Sequence, residues 1–478
     1  MSASLAWGLL FIQGGLILNT TRPVHAGVTS REGYELSMVS PIRRLLFLVC
    51  LGICFWLLPP AAIGAENLIR KGETLDLQRC IAIALERHPS IQAAAGTLVA
   101  GESRVGQARS GFYPQLTGSA GYSRSNPIST SGFNRTDPAN PSTDQAYDSY
   151  SSSISLSQNL YDFGKTSTQV KIQEFNRDSF RSDLDSVHIQ VAFAVKQAYY
   201  GHLQARRNRE VSREVVGQFQ QHLERAKAFF EVGTKPKFDV TKADVDLSNA
   251  KLNLLKAENA FRLSLVALNN TMGVPEAPDY EIVDQLPFQR EKIDLEEATR
   301  KAYERRPDLK AIAAKKQALE QSIELARKNY YPYVSGSASY GWGGSDFPLD
   351  QGWSFGAQIN VPLFSGFSTK YQVEEARANL DVIAANEALL RQAIYQDVKQ
   401  AWLNLDEAAD RIATAELSVR QAAENLDLAN GRYAAGVGSP IEVTDALVAV
   451  SNAKTAHIAA LYDYRLAQAS LEKAAGGK

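Results

Sequence analysis

AAGVGSPIEVTDALVAVSNAK, from Ala434 to Lys454, is the stretch from which the fold can be worked out. A counterpart lies 203 residues earlier, EVGTKPKFDVTKADVDLSNAK, from Glu231 to Lys251. Both copies contain glycine and proline between long proline-free segments, and both run into the same tetrapeptide SNAK. Glycine and proline at such a point mark a turn. Each copy therefore predicts the tip of a long helical hairpin, with the two tips at 232–238 and 435–440.

The rest of the chain repeats one plan. ALERHPSI at 84–91 matches AYERRPDL at 302–309, and FYPQLTGSAGY matches YYPYVSGSASY 218 residues later. In each copy, short helices precede two segments in which apolar and polar residues alternate, a pattern typical of strands. These observations predict a first repeat at 66–274, a linker at 275–293 and a second repeat at 294–478, with strands at 112–123, 147–161, 330–342 and 352–364.

Two very long helices are expected after the strands. Residues 166–230 and 368–433 contain no proline, and apolar residues recur there at spacings of three and four. About 65 residues at a rise of about 1.5 Å give a rod of roughly 100 Å. A pattern of this length indicates a coiled coil or helical array. Shorter return helices follow the tips, and the helices at 90–110 and 308–329 are expected to extend them end to end.

The N-terminal region, residues 1–65, is expected to be a targeting segment. Two arginines precede an apolar run at 45–62 that ends in small residues, which is the order of a secretory signal peptide. A transmembrane anchor is the alternative, but two prolines shorten the run. Met38 stands where a signal peptide would begin. We therefore expect residues 1–37 to be an over-extended start.

Composition and motifs argue against several classes of function. Lysine and arginine total 51 against 52 aspartates and glutamates, so the chain lacks the positive excess of a nucleic-acid-binding protein. The six histidines have no metal-ligand spacing, and no glycine-rich phosphate loop follows a strand. The Gly-x-Ser-x-Gly match at 352–356 lies inside an alternating segment, not at a strand–turn–helix elbow. We expect no enzyme activity, no cofactor, no metal and no nucleic-acid partner.

Four strands of about ten residues are typical of a membrane barrel that several copies share. Ten tilted residues cross a bilayer, and a strand there cannot leave an open edge. Membrane barrels need about eight strands, so one chain cannot close a barrel. Eight strands would be filled by side chains, whereas twelve can enclose water. A conduit of this kind therefore needs three copies or more. The alternative is a soluble α+β protein with two hairpins packed on its helices.

At this point the sequence resembles the TolC family of outer-membrane efflux and secretion channels. The resemblance covers essentially the whole chain after residue 65. It is carried by the duplicated YPQLTGSA and YPYVSGSA segments, by the strand-to-helix joints NLYDFGK and PLFSGFS, and by both glycine tips followed by SNAK. It implies an α+β membrane protein whose duplicated unit gives four strands of a trimeric 12-stranded β-barrel plus a long antiparallel α-helical coiled-coil tunnel.

The same resemblance implies a function and partners. The protein would be a passive exit duct in the cell outer membrane, extending into the periplasm as a homotrimer in contact with outer-membrane lipid. A periplasmic adaptor and an inner-membrane pump of the RND or ABC type would be its partners. The cargo would be small molecules in a tripartite efflux system or, alternatively, proteins in a type I secretion system. A third alternative is a non-conducting periplasmic coiled-coil scaffold.

The tips contain the candidate periplasmic gate. The sequence SPIE at 439–442 predicts a capping box, which by itself accounts for Glu442. Asp445 lies one turn further on the same face, where a solvated acid near a helix N-terminus is the alternative. By resemblance, Glu442 and Asp445 match acidic rings at family entrances, where close like charges would raise each other's pKa. Tyr433 and Asp239 match positions that hold those entrances shut.

The closing network is expected to differ from that of the family. The family arginine two residues after Gly436 is replaced by Gly438, which leaves Lys235 or Lys237 as substitutes. The resemblance also implies that the tips dock the adaptor, although helix C-caps with positive φ would explain their glycines equally well. The implied docking residues are Gly233, Thr234, Gly436 and Val437.

Aromatic residues near the predicted strand ends are candidates for a membrane girdle. Core packing is the alternative explanation, and the sequence does not fix which face of the sheet each side chain occupies. The six candidates are Tyr113, Tyr122, Tyr331, Tyr340, Trp342 and Trp353.

Overall fold

The computed structural model describes residues 69–126, 146–284 and 288–477, and the predicted targeting segment at 1–65 lies outside them. In chain order, the first half contains β1 (Thr74–Leu75), α1 (Leu77–Arg87), α2 (Pro89–Arg109), β2 (Gln115–Ser125), β3 (Tyr147–Tyr161), α3 (Lys165–Glu231) and α4 (Lys237–Thr271). The second half contains β4 (Glu281–Ile282), α5 (Leu295–Arg305), α6 (Pro307–Arg327), β5 (Tyr333–Gly344), β6 (Asp350–Asn360), α7 (Ser368–Ala434) and α8 (Pro440–Ala474).

Two long antiparallel hairpins dominate the fold. The outgoing helices α3 and α7 have 67 residues each, and the return helices α4 and α8 have 35 each. The predicted long helices are confirmed to within one residue at each end. No helix in the described ranges combines the length and apolar character needed to cross a membrane.

Local sequence signals set the ends of the helices. Asp76 caps α1 by accepting a hydrogen bond from the backbone N–H of Arg79, and Asp294 caps α5 in the same way. Proline occupies the first position of both α2 and α6. A backbone N–H at this position makes no intrahelical hydrogen bond, so proline, which lacks one, is tolerated there. The Asp162 carboxylate accepts from the backbone N–H groups of Gly164 and Thr166 at the start of α3.

The four long strands form one antiparallel sheet in the order β2-β3-β5-β6. The two expected hairpins, β2 with β3 and β5 with β6, are confirmed. Strands β2 and β5 begin three residues later than predicted because short 3₁₀ turns at Ser110–Phe112 and Lys328–Tyr330 continue the preceding helices. Strand β6 ends at Asn360, before Pro362, which has no N–H for the ladder.

A second, two-stranded sheet pairs β1 with β4 in parallel. It joins the start of the first half to the segment at 275–293. Two-residue strands have no measurable periodicity, so this pair was not predictable from the sequence. The proposed boundaries between repeats and linker stay predictions.

Apolar side chains pack in separate clusters along the hairpins. One cluster joins α1 to the middle of α3 and includes Cys80, Val195, Tyr199 and Leu203. Another lies near the tips and is called the tip cluster here. It brings all four long helices together and includes Phe219, Leu223, Ala243, Leu247, Leu426, Tyr433, Val443 and Leu447. The tip cluster therefore fixes the two hairpins against each other at one end.

Glycines allow the return helices to abut the short helices. Gly273 follows α4 with φ +74°, and a Cβ there would lie 3.1 Å from the Arg87 backbone. Gly476 follows α8 with φ +75°, and a Cβ there would lie 2.9 Å from the Arg306 nitrogen. The end of α4 thus meets the start of α2, and the end of α8 meets the start of α6, in agreement with the end-to-end expectation.

We expect Gly273→Ala to lower the free energy of unfolding by about 1–3 kcal/mol, because the new methyl group adds both a left-handed backbone cost and a backbone clash. Gly106→Ala, inside α2, is the matched control, since no atom lies within 4 Å of its Cβ position. That control should be neutral or stabilising by up to about 1 kcal/mol. Thermal unfolding in detergent measures both, and equal midpoints would contradict the close approach.

Candidate functional site

The register of the sheet gives its two faces opposite character. Residues directly opposite each other in neighbouring strands point to the same face. One row across the four strands is entirely apolar: Leu116, Leu156, Ala338 and Phe355. The adjacent row, one residue along each strand, is entirely hydroxylic: Thr117, Ser155, Ser339 and Ser354. The sheet therefore has an apolar face and a polar face.

Serine dominates the polar face. Ser119 and Ser153 are hydrogen-bonded across β2 and β3 at 2.9 Å, and Ser339 and Ser354 across β5 and β6 at 2.8 Å. Further serines alternate along β3 with the apolar-face residues, as SSSISLS in the sequence shows. The alternation predicted the strand itself, but not that its serine face continues across all four strands. In the middle of the sheet this face has no charged residue.

The apolar face is uncovered in the single chain. Phe355 and Trp353 of β6 are 80% and 79% exposed. Of the six candidate girdle residues, Tyr122, Tyr340, Trp342 and Trp353 lie on this face in the half of the sheet distant from the helices. Tyr340 is directly opposite Trp353, and its ring lies 4.8 Å from that of Trp342.

The other two candidates lie at the opposite end of the sheet. Tyr113 and Tyr331 precede β2 and β5, next to the helices. Tyr331 stacks on Phe163 at 5.5 Å, and Phe163 contacts Tyr161 at 4.7 Å. The candidates thus form two exposed groups, one at each end of the strands, and not a packed core. Sequence reasoning missed the aromatic residues at the joints, Tyr161, Phe163, Phe364 and Phe367, although NLYDFGK and PLFSGFS contain them.

The tips of the two hairpins end in the same turn geometry. Gly233 has φ +76° and Gly436 has φ +79°. After each glycine, a backbone N–H returns to the last turn of the helix: Thr234 donates to the Phe229 carbonyl and Val437 to the Arg432 carbonyl. These are glycine C-caps, as the alternative explanation required. The candidate docking residue Val437 is 70% exposed, and Val232 at the first tip is 71% exposed.

The two candidate acids at the second tip have different surroundings. Glu442 completes the predicted capping box with Ser439 and also pairs with Arg432 at 3.1 Å. The hydrogen bond from Arg432 is the largest influence on Glu442 and lowers its pKa. The expected rise in pKa concerns acids of three chains brought close together and stays a prediction. Asp445 is exposed, and the described residues offer its carboxylate no hydrogen bond or ion pair.

Lys235 links the two tips. Its Nζ lies 3.4 Å from the Gly438 carbonyl oxygen and 5.3 Å from the centre of the Tyr433 ring. Of the two lysines considered as substitutes for the family arginine, Lys235 is the one that reaches the second tip. Gly438 itself packs closely, because a Cβ there would lie 2.8 Å from the Tyr433 nitrogen.

Tyr433 and Asp239 lie at the edge of the tip cluster. Tyr433 is 1% exposed, and its hydroxyl has no hydrogen-bond partner among the described residues. Burial, and then the charge of Asp239, raise the pKa of Tyr433. Asp239 is also buried. The structure therefore brings this pair near each other without a direct hydrogen bond.

A further buried acid, Asp246, connects the hairpins and was not anticipated. Lys242 donates to its Oδ2 at 2.7 Å, and the Thr444 hydroxyl of α8 donates to the same atom at 2.9 Å. Asp246 has no counterpart acid in the second repeat, where Ala449 stands. Comparison of the two repeats could therefore not have identified Asp246.

No group of three or more histidine, cysteine or acidic residues in the described ranges is arranged to hold a metal ion.

Comparison with known proteins identifies the family. The family model described as Outer membrane efflux protein matches residues 80–274 and 298–477. Alkaline protease secretion protein AprF of Pseudomonas aeruginosa is 26% identical over 411 residues, covering 82% of this chain and 83% of AprF. Outer membrane protein TolC of Escherichia coli is 22% identical over 412 residues, covering 81% of this chain and 80% of TolC.

A solved structure shares the fold. The crystal structure of CusC, described with transmembrane channel formation, superposes with a TM-score of 0.72 at 18% identity, covering 88% of this chain and 98% of CusC. The family match spans both halves of the chain and includes the long strands, the hairpins and both tips. The chain therefore belongs to the outer membrane efflux protein family and lies in the outer membrane.

Proposed function

We propose that this protein is a passive exit duct of the outer membrane, closed by three copies of the chain. The observation that carries the proposal is the two-faced sheet, whose apolar face suits lipid and whose serine face suits a water-filled lumen. Its outer strands, β2 and β6, each have one unpaired edge in a single chain. A membrane does not tolerate such edges. Three sheets joined edge to edge give twelve strands, enough to surround water.

The helical hairpins continue the duct into the periplasm. Helices of 67 residues extend about 100 Å from the sheet at about 1.5 Å per residue. The exposed tips, with Gly233, Thr234, Gly436 and Val437, are the surface on which we place a periplasmic adaptor. An inner-membrane pump of the RND or ABC type then supplies the energy.

Reconstitution tests the duct. Purified protein added to planar lipid bilayers should form discrete conductance steps, and native mass spectrometry in detergent should give the mass of three chains. A water-soluble monomer that forms no pores would overturn the proposal and favour a non-conducting scaffold.

Small-molecule efflux is the first candidate for the cargo, in keeping with the family. Protein secretion is the second, because one relative is named for secretion of a protease. The polar face, rich in serine and glycine and uncharged in the middle of the sheet, also suits a polypeptide of either net charge. Deleting the gene separates the two candidates. Increased drug susceptibility supports efflux, whereas loss of one secreted protein from the medium supports secretion.

The gate proposal centres on Asp445. We expect Asp445→Asn to reduce the cation-to-anion permeability ratio about twofold or more, because a trimer loses three exposed charges near one axis. Single-channel reversal potentials in a salt gradient measure this ratio. Asp244→Asn, an exposed acid on α4, is the matched control and should leave it unchanged. Equal ratios for wild type and Asp445→Asn would remove Asp445 from the gate.

A further inference from the structure

A buried histidine lies between the two hairpins without hydrogen-bond partners. His222 of α3 is 3% exposed, and neither ring nitrogen has a partner among the described residues. Its ring centre is 5.3 Å from that of Tyr433, on α7 of the other hairpin, whose hydroxyl is also unpaired. Most buried polar side-chain atoms find a partner. Three unpaired atoms at one contact between hairpins therefore require an explanation.

The charged groups near this histidine lie on two helices, α4 and its own helix α3. Asp239, Lys242 and Asp246 face it from α4, and Arg225 lies on its own helix. Asp246 is already paired with Lys242 and Thr444. Arg225 donates to the Asn430 side chain on α7 at 3.3 Å. The two acids and the two cations act in opposite directions, and burial, the largest influence on the ring, lowers the His222 pKa.

We propose that His222 is a proton-responsive contact that loosens the packing of the two hairpins when the pH falls. The role of this loosening in opening the periplasmic mouth rests on the proposed duct function. The packed state holds the ring neutral, because its buried surroundings oppose a charge. If the hairpins move apart, the ring meets water and regains an ordinary pKa of about 6.5.

The direction of the effect follows from linkage. Below a pH of about 6.5, the separated state binds a proton that the packed state does not, so acid favours separation. At pH 5.5, one unit lower, the equilibrium shifts toward separation by up to about tenfold per histidine. Above pH 7.5 both states are neutral, and the packing keeps its full stability. Tyr433 does not respond in this range, because its pKa is raised from an already high value.

Distance measurements between the tips test the proposal. Nitroxide labels on cysteines introduced at the exposed residues Val232 and Val437 report tip separation, in trimers that contain a minority of labelled chains. The separated population should increase severalfold between pH 7.5 and pH 5.5. His222→Gln should abolish this increase, because glutamine does not titrate. His457→Gln, at a half-buried histidine of α8, is the matched control and should retain the increase.

Two results would overturn the proposal: a wild-type protein that does not respond to acid, or a response that persists in His222→Gln. If His222→Gln does not assemble, histidine hydrogen exchange of the wild type gives the His222 pKa directly. A His222 pKa of 6.5 or above would then contradict the proposal. These measurements need no conducting pore. Absence of conductance would therefore reject the duct function and leave the test of His222 intact.

Discussion

Phe355→Arg is expected to prevent stable membrane insertion, whereas Ser354→Arg at the adjacent position is expected to permit it. Phe355 is 80% exposed on the apolar face in the middle of β6, and Ser354 lies on the polar face, hydrogen-bonded to Ser339. A charged side chain facing lipid near the middle of a bilayer costs about 2–4 kcal/mol. In a trimer this cost applies three times. An arginine at position 354 would face the water-filled lumen and would not carry this cost.

The matched pair distinguishes the two faces because the substitutions differ by one residue along one strand. Phe355→Arg should reduce the amount of folded trimer in outer-membrane fractions, measured by its resistance to dissociation on gels. Ser354→Arg should assemble normally and shift ion preference toward anions, because it adds three positive charges to the lumen. Normal assembly of both variants, or failure of Ser354→Arg alone, would contradict the assignment of the faces.

The sequence predicted the elements whose signals are long and repeated. The helices α3 and α7 each carry a 3.6-residue pattern over 67 residues, so their ends were found to within one residue. The β-hairpins followed from alternation and from the duplication. The predicted starts of β2 and β5 were less accurate, because 3₁₀ turns continue the preceding helices without a change in amino-acid composition. The β1–β4 pair was missed because two residues carry no period.

Contacts between elements were much less predictable. Local sequence does not encode strand register, and the face of each aromatic residue depended on the β3–β5 pairing across the two halves. The capping box at Glu442 was predicted because it is local, but its ion pair with Arg432 spans ten positions between helices. Asp246 meets Thr444, and His222 meets Tyr433, only through packing of the two hairpins. The chemistry of the tips thus arises from tertiary contacts that periodicity does not report.

Gly438 stands at the position where the family resemblance implies an arginine. Restoring the expected arginine, Gly438→Arg, should loosen the entrance here. A Cβ at this position would lie 2.8 Å from the Tyr433 nitrogen and 2.9 Å from the Arg432 carbonyl carbon, so the backbone of the tip must move. Overpacking of this kind costs about 1–3 kcal/mol. We expect the same movement to separate the Gly438 carbonyl from Lys235, which is one of the contacts between the two tips.

We therefore expect Gly438→Arg to increase single-channel conductance and to speed proteolysis near the tips, in contrast to the closure that an added inter-helix link would produce. Gly438→Ala introduces the same Cβ without the charge and should have a similar effect. Gly431→Ala, on α7 with no atom within 4 Å of its Cβ position, should behave as wild type. If Gly438→Arg lowers conductance while Gly438→Ala raises it, the arginine forms a closing link that this tip can accommodate. If Gly438→Arg and Gly438→Ala both behave as wild type, the backbone of the tip accommodates the new side chain without loss of stability. The close packing at Gly438 then does not keep the entrance closed.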